Sequence, residues 1–450
     1  VAVDLSANFE QFLQNISLGD PQVPRMDSAA RTVSDFLRKS YGLASDEVFL
    51  QGSYPNGTAI EPLAGGEYDV DLIAVCCESA DDANAALNEL ERRFRADGRF
   101  ANRVKRKNAC VRLEYAGDDV GDFHVDVVPS RRPVLVPAPL EVPRRGAGWK
   151  GSAPSQYTAW CQAQGPLYMR TVKMLKRWRA EQQSVRNAIK SIVLQVLIAG
   201  AMPQLEEDAS RIAATIEALN AKFARFSTPP TVWNPVLPTE NLAASWNQES
   251  FESFKTELAE AAQWVAQAQS SEDAVEASDR WRELFGDDFP TSSPDELGLM
   301  VGDISHAETP AARGWLELPD KRYGVTIRAT VQRGKRGQTR RPYRSDDGVI
   351  FEGHRLHFTA KVTAPNHVEV FWQVANTGGH ARAVGGLRGE IFRGHDINGN
   401  TLAEQMENWE STAYTGSHVI RALLVREQRL LASSEWFRVN IYAKGRAYRL

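Results

Sequence analysis

The strongest constraint on this chain is an alternation. In Tyr68-Asp-Val-Asp-Leu-Ile-Ala-Val75, acidic and apolar residues exchange at every second position before the run turns wholly apolar. That is the period of a β-strand with one face in a core. Side chains two apart share a face, so Asp69 and Asp71 point one way while Val70 and Leu72 point into the core. The later run Phe123-His-Val-Asp-Val-Val128 repeats the pattern, with Phe123, Val125 and Val127 as the core set and Asp126 opposite them. If the two strands are neighbours, three carboxylates meet on one surface. Like charges at that range are costly unless cations neutralise them. Oxygen-only ligands suit Mg²⁺, which keeps several waters and binds through a few carboxylates plus substrate phosphates. Two such ions would clamp the attacking and leaving oxygens of an in-line phosphoryl transfer.

A turn of small residues, Gly52-Ser-Tyr-Pro-Asn-Gly57, precedes the first strand and supplies the complementary half. Gly52 lets the backbone approach a phosphate, and Ser53 adds a hydroxyl beside N–H groups that would point at a triphosphate oxygen. His124 lies two residues from Asp126 and so on its face, placed for a metal, a nucleotide or a local hydrogen bond.

Around these runs the chain divides into three. A strand–turn–strand–helix–strand–strand order indicates a compact α/β unit over 1–150, with a helix from about Asp81 to Arg95 and strands near Ala109–Tyr115 and Asp122–Val128. Residues 151–285 are mostly helical in pattern: Tyr157–Gln162, Leu167–Glu181, Ala188–Ala201, Glu206–Lys222 and Glu249–Gln269. The stretch 286–320, with several Pro, Gly, Ser and Asp residues, reads as a linker. Beyond it, 321–450 carries short β-type runs at Val325–Val331, Ile350–Leu356, Phe358–Val362, His367–Val374 and Phe437–Tyr442. These predict a small all-β domain.

Charge follows the same division. The formal charge of -4 hides 21 Lys and Arg against 13 Asp and Glu over 316–450, and 32 against 44 over 1–315. A basic C-terminal third is compatible with a polyanionic partner. Its densest run, Arg333–Arg344, has six basic residues in twelve and reads as a solvated loop. Four cysteines without metal spacing point to a reducing compartment, and no apolar run is long enough to span a bilayer. With no signal-peptide pattern at its start, the chain is expected to be cytoplasmic and not inserted in a membrane.

Gly52-Ser53…Thr58, Glu67-Tyr-Asp69-Val-Asp71-Leu72 and Val125-Asp126-Val-Val-Pro129 together resemble the polymerase-β-type nucleotidyltransferases. The similar branch is the oligoadenylate-synthase-like and cGAS/DncV-like (SMODS) enzymes of bacterial anti-phage signalling. The likeness covers roughly 1 to 270 and includes Trp160, Leu175-Lys-Arg-Trp178, Lys190-Ser191-Ile192, Asn234-Pro235 and Asn241. It implies an α+β fold: a polymerase-β-like palm with a helical lobe, followed here by the sandwich-like all-β domain. It also implies that Asp69, Asp71 and Asp126 are catalytic and hold two Mg²⁺ ions, with Asp126 helping to activate the attacking hydroxyl. Gly52 and Ser53 would hold the triphosphate, with Lys176, Lys190 and Ser191 as further phosphate contacts. Lys173 competes with Lys176, since both lie on one helix expected to be exposed. Tyr157 is either a base-stacking residue or part of a core.

A second resemblance covers roughly Tyr323 to Tyr442. Phe371-Trp-Gln-Val-Ala-Asn376-Thr-Gly378-Gly, Gly386-Leu-Arg388-Gly-Glu and Glu410-Ser-Thr-Ala-Tyr414-Thr-Gly416-Ser-His418 are similar to the AGS-C sensor domain. That likeness implies a β-sandwich that senses a nucleotide or nucleic acid. Arg388, His418, Trp372 and Tyr414 could present cations and aromatic faces to such a ligand, or could be core and local hydrogen bonds.

The leading expectation is a template-independent transferase that joins NTPs (ATP among them) or dNTPs into a cyclic or linear signalling oligonucleotide. The basic domain would hold the product, and a separately encoded effector, membrane-bound in some systems, would respond to it. A basic surface beyond the active site suits a longer product, as in the Hailong-type defence enzymes. Two alternatives stand beside it: a toxin-like transferase acting on tRNA or protein hydroxyls, and a nucleic-acid sensor that uses the transferase fold as a scaffold.

Overall fold

The computed structural model describes residues 3–442 except 20–21, 64–65, 79–81, 118–121, 134–138, 292–299, 334–338, 347, 365–366, 397 and 403–404. Most of the basic run Arg333–Arg344 and part of the expected linker therefore lie outside the described residues or their side chains. The chain forms two compact units, one over 4–270 with 280–289 and the other over 271–279 with 290–450.

The first unit opens with α1 (Ser6–Asn15) and α2 (Gln22–Tyr41), followed by β1 (Val48–Gln51), β2 (Glu67–Cys77) and α3 (Ala83–Ala96). Next come β3 (Val104–Arg106), β4 (Val111–Tyr115), β5 (Asp122–Arg131), β6 (Leu140–Arg144) and β7 (Gly148–Ser152). The strands form one sheet in the order β1-β2-β5-β4-β3, with the β6–β7 hairpin attached to β5. Only β2 and β5 run parallel within that sheet, so the chain between them must cross over, and α3 makes the crossing.

The alternation predicted from sequence decides which face is buried. Val70, Leu72, Val125 and Val127 pack with Val33 and Leu37 of α2 and with Leu90 and Phe94 of α3. The carboxylates are left on the other face. Asp82 caps α3 by accepting from the N–H groups of Asn84 and Ala85, which starts the helix two residues later than the sequence suggested.

The helical part comprises α4 (Pro154–Ala163), α5 (Pro166–Glu181), α6 (Gln183–Arg186), α7 (Ser191–Ala199) and α8 (Asp208–Phe223). After the short hairpin β8 (Trp233–Asn234) and β9 (Leu237–Asn241) come α9 (Gln248–Ser270) and α10 (Ala274–Phe285). Phe9 and Phe12 of α1 pack against Trp281, Phe285 and Phe289 with ring centroids 4.5–6.4 Å apart, so 285–289 belongs to a core.

The second unit contains β10 (Leu316–Glu317), β11 (Gly324–Arg333), β12 (Thr339–Tyr343), β13 (Ile350–Phe351), β14 (Arg355–Thr363) and β15 (Glu369–Ala375). The short helix α11 (Gly379–Ala383) precedes β16 (Ile391–Phe392), β17 (Glu407–Ser411), β18 (Gly416–Arg426), β19 (Arg429–Ser433) and β20 (Phe437–Tyr442). One sheet is built on β10-β19-β18-β15-β16 with β20 and β13 alongside, and the other is β12-β11-β14-β17. Val331, Leu356 and Phe358 of the four-stranded sheet share a core with Trp372, Val374, Ile420 and Val439 of the other, which makes a sandwich. The run Ile350–Leu356 is not one strand as expected. Gly353 turns there at φ +83, and β13 and β14 enter different sheets. Residues 301–317, expected within a linker, are bonded into this unit: Gly302 N–H donates to Thr377 Oγ1, Glu308 N–H donates to the Gly389 carbonyl, and β10 pairs with β19.

Candidate active site

The parallel register of β2 and β5 places Asp71 beside Asp126 and Asp69 beside His124. Alternation alone put these side chains on one face; the zero offset between the strands is what makes them neighbours. Asp69 and Asp71 open into a cavity of about 760 Å³ that Gly52, Ser53, Asn56, Tyr157, Lys176, Lys190 and Ser191 also line. That volume is in the range of a small-molecule or cofactor site.

Gly52 is required where it stands. Its φ is +82, and a Cβ there would overlap Oδ2 of Asp71. The turn is tied down at both ends: Thr58 N–H donates to Ser53 O at 3.0 Å, and Lys176 Nζ donates to Thr58 O at 2.8 Å. From α4, Thr158 Oγ1 donates to Asn56 Oδ1 at 2.8 Å and Gln162 Nε2 donates to Pro55 O at 3.0 Å.

The charges are held in tension. Burial, with the neighbouring carboxylates Asp69 and Asp126, pushes the Asp71 carboxyl up to about 8. Burial likewise raises Asp69, against the pull of His124. Lys176 is half-buried rather than exposed as expected, and desolvation lowers its ammonium to about 8 although Asp69 favours the charged form. Lys173 faces elsewhere, with Nζ 3.4 Å from Ser17 Oγ, and does not line the cavity. The helix expected over Ala188–Ala201 begins only at Ser191, so Lys190 is its exposed N-cap and the N-terminus of α7 meets the cavity wall. Tyr157 is nearly buried beside Trp160, with its hydroxyl 3.5 Å from Gln195 Oε1, and it lines the wall.

Sequence reasoning did not find Arg112. It is the register partner of Asp126 on β4, and its guanidinium clamps both Asp126 oxygens, Nε to Oδ1 and Nη2 to Oδ2, at 2.9 Å each. Nη1 reaches Glu67 Oε2 at 3.2 Å. Asp126 is not among the residues lining the cavity. An Arg in a polar/apolar strand pattern carries no sign of its partner, so only strand pairing could reveal it. The other additions are Arg144, Lys150 and Glu240 at the rim, where Lys150 Nζ and Glu240 Oε1 are 2.7 Å apart.

Among the described residues no three His, Cys, Asp or Glu side chains are grouped tightly enough to enclose a metal. The donor chemistry nevertheless fits a hard divalent cation. Two half-buried carboxylates resist joint ionisation, and His124 Nε2 is buried without a hydrogen bond 3.8 Å from Asp69 Oδ2. Asp126 would join them while sharing its oxygens with Arg112, since each carboxylate oxygen has two lone pairs. Arg112→Gln should lower kcat/KM about 10–100-fold and also lower the melting temperature, since it leaves Asp126 nearly buried without its guanidinium, and Arg112→Lys should recover only part because it cannot form the fork. Steady-state kinetics beside calorimetry would check this.

Residues 3–164 match the Second Messenger Oligonucleotide or Dinucleotide Synthetase (SMODS) domain. That part of the chain is similar to the SMODS domain, and the protein is a nucleotidyltransferase. Residues 305–442 match the Adenylyl/Guanylyl and SMODS C-terminal sensor domain, AGS-C. Among relatives, the c-di-GMP synthase of Roseivirga ehrenbergii is 27% identical over 262 residues, 49% of this chain and 68% of that protein. The cyclic AMP-AMP-AMP synthase of an Acinetobacter species is 25% identical over 304 residues, 63% of this chain and 86% of that protein. Of solved structures, the Bradyrhizobium diazoefficiens CD-NTase CdnG in complex with GTP has a TM-score of 0.52 at 18% identity, covering 63% of this chain and 96% of that one. The Vibrio cholerae cyclic AMP-GMP synthase DncV has a TM-score of 0.52 at 14% identity, covering 63% and 98%. The two solved structures share their fold with that part of the chain.

In the AGS-C unit, the residues expected to greet a ligand are differently placed. Trp372 is fully buried and donates Nε1–H to Gln405 O at 2.9 Å, so it is core. His418 is fixed as the neutral Nε2–H tautomer: Nδ1 accepts from Thr377 N–H at 3.1 Å, and Nε2 donates to Tyr414 O at 2.8 Å. Burial also lowers its pKa. Arg388 is paired with both Glu390 and Glu410 at 2.8 Å, so it offers no uncompensated charge.

Proposed function

We propose that this nucleotidyltransferase is a Mg²⁺-dependent, template-independent synthase in bacterial anti-phage defence. It joins NTPs or dNTPs into a cyclic or linear signalling oligonucleotide and releases pyrophosphate. The observation that carries the reading is the single cavity in which Asp69 and Asp71 face Lys176 beside the Gly52–Ser53 turn. Relatives named as cyclic di- and trinucleotide synthases support the same class of product.

In this reading the acceptor hydroxyl attacks the α-phosphorus, the bond to the bridging oxygen of the β-phosphate breaks, and pyrophosphate leaves. Ser53 and the backbone beside Gly52 bind triphosphate oxygens, with Lys176, Lys190 and Ser191 completing the cradle. Asp69 and Asp71 would hold the cations. Asp126, whose oxygens Arg112 holds, would help to activate the acceptor hydroxyl once the substrate and cations are bound. Bound Mg²⁺, as two ions, would neutralise the triphosphate and the charge that develops on entering and leaving oxygens. Catalysis is thus mostly positioning and electrostatics. The product passes to a separately encoded effector. No described helix is long and apolar enough to cross a membrane.

Purified protein given Mg²⁺ and each NTP or dNTP, followed by mass spectrometry, tests the proposal. Products should form without an added acceptor. Incorporation only when tRNA or protein is supplied would replace it with the toxin-like reading. Lys176 adds a pH signature. Its ammonium in the free protein titrates at about 8, so it is charged below that pH and neutral above it. The NTP kcat/KM should therefore fall as pH rises through about 8, with kcat at saturation less affected. Lys176→Arg should flatten that limb.

A further inference from the structure

Inside the AGS-C sandwich lies a cavity of about 160 Å³. Its walls are core side chains of both sheets, Leu356 and Phe358 on one side and Val374, Ile420, Val439 and Ile441 on the other. A closed apolar void of about 150 Å³ accommodates one benzene ring, so this one is of a size for a six-membered ring. Unlike such a void, it has a polar mouth formed by Asn376, Arg388, Glu410, Tyr414 and His418. The mouth opens beside the exposed Ser411 and Ala413.

Two properties of the mouth select the ligand. First, its charges are already spent: Arg388 is flanked by two carboxylates at 2.8 Å, and His418 is locked neutral. A phosphate would meet a net negative entrance. Second, hydrogen-bonding capacity remains. The Tyr414 hydroxyl and the Oδ1 of Asn376, whose Nδ2 donates to Gly386 O at 2.9 Å, have no partner among the described residues. An apolar slot one ring wide, with a free hydroxyl and a free carbonyl at its entrance, matches a ring that carries both donors and acceptors on its edge.

We propose that this cavity is the ligand site of the C-terminal unit and that it takes a pyrimidine nucleoside or nucleotide base-first, with any phosphate left in solvent. The site is separate from the transferase cavity and does not depend on the chemistry proposed there. It differs from the expectation of a cationic surface that grips phosphates.

The test is thermal shift and calorimetry on the full chain with uridine, thymidine, adenosine, guanosine and inorganic phosphate as probes. Uridine or thymidine should raise the melting temperature, since a ligand that fills a void in the native state alone stabilises it. Adenosine, guanosine and phosphate should not. Val374→Phe, which puts a ring of the protein's own into the slot, should weaken pyrimidine binding at least tenfold and leave basal nucleotide incorporation unchanged. Phe358→Leu, which widens the slot, should admit purine nucleosides. An Asp69→Asn/Asp71→Asn double variant should bind as the parent does, which separates failure of this site from failure of the transferase reading. The idea is overturned if millimolar pyrimidine nucleosides leave the melting curve unmoved. It is equally overturned if Val374→Phe responds like the parent, or if phosphate alone gives the same shift.

Discussion

Asp71→Asn should cut product formation on the order of a thousandfold or more, the scale expected when a group that organises transition-state charge is removed. The amide has nearly the same shape, so the turn at Gly52 that rests on this side chain stays in place. What is lost is the negative charge that would hold a divalent cation. The same substitution should make the metal-free protein more stable at neutral pH. Burial and neighbouring carboxylates raise the Asp71 carboxyl from the ordinary 3.8 to about 8 in the folded protein, so the folded state binds the proton more tightly than the unfolded state. The native fold therefore loses stability as pH rises from about 4 towards 8. Asn removes that dependence. Calorimetry in EDTA across pH 5–8 should show a smaller fall in melting temperature for the variant, while mass spectrometry shows the missing product. Greater stability with less activity is the signature of an acidic site kept for function. A variant that retained normal synthesis would end the metal-ligand assignment.

Arg211→Ala should destabilise the first unit by about 3–5 kcal/mol, the cost of breaking a buried ion pair from one side. The guanidinium is fully buried. Nε donates to Thr171 Oγ1 at 2.9 Å, Nη1 to the carbonyls of Leu205 and Glu206 at 2.6 and 2.8 Å, and Nη2 to Asp208. Its loss leaves two carbonyls and a hydroxyl without that donor. Arg170 still pairs with Asp208, so the carboxylate is not stranded entirely, which argues for the lower end of the range. Because Thr171 lies one and a half turns before Lys176 on α5, loosening this joint should also raise KM for NTP. Urea denaturation and substrate titration would measure the two effects, and a change below about 1 kcal/mol would contradict the structural role.

How much was legible in the sequence differs from residue to residue. The core faces of β2 and β5 were, because a period of two is a local property. The sandwich was legible in outline, but the bend at Gly353 and the strands Gly416–Arg426 and Arg429–Ser433 were not singled out. Apart from Arg421, a run such as Val419–Val425 is apolar and buried on both faces, with Ile420, Ala422 and Leu424 in the sandwich core and Leu423 and Val425 in a smaller cluster, so little alternation announces it. Trp372 and His418 were ambiguous for the opposite reason: aromatic and imidazole groups suit a core and a binding face equally, and only burial and partners decide.

By itself the sequence determined that Asp69 and Asp71 share a face opposite Val70 and Leu72, that Asp126 opposes Val125 and Val127, and that the C-terminal third is β-rich and basic. Those are consequences of composition and of a side-chain period only two residues long. The tertiary structure decided the rest. Strand register set Asp71 beside Asp126 and gave Asp126 to Arg112. Helix packing chose Lys176 over Lys173 for the cavity, and tertiary folding brought Glu390 and the strand residue Glu410 onto Arg388, which cancels locally a charge that the totals count in full. Each of these is a meeting of residues distant in the chain or of side chains turned by packing, and no local pattern encodes such a meeting.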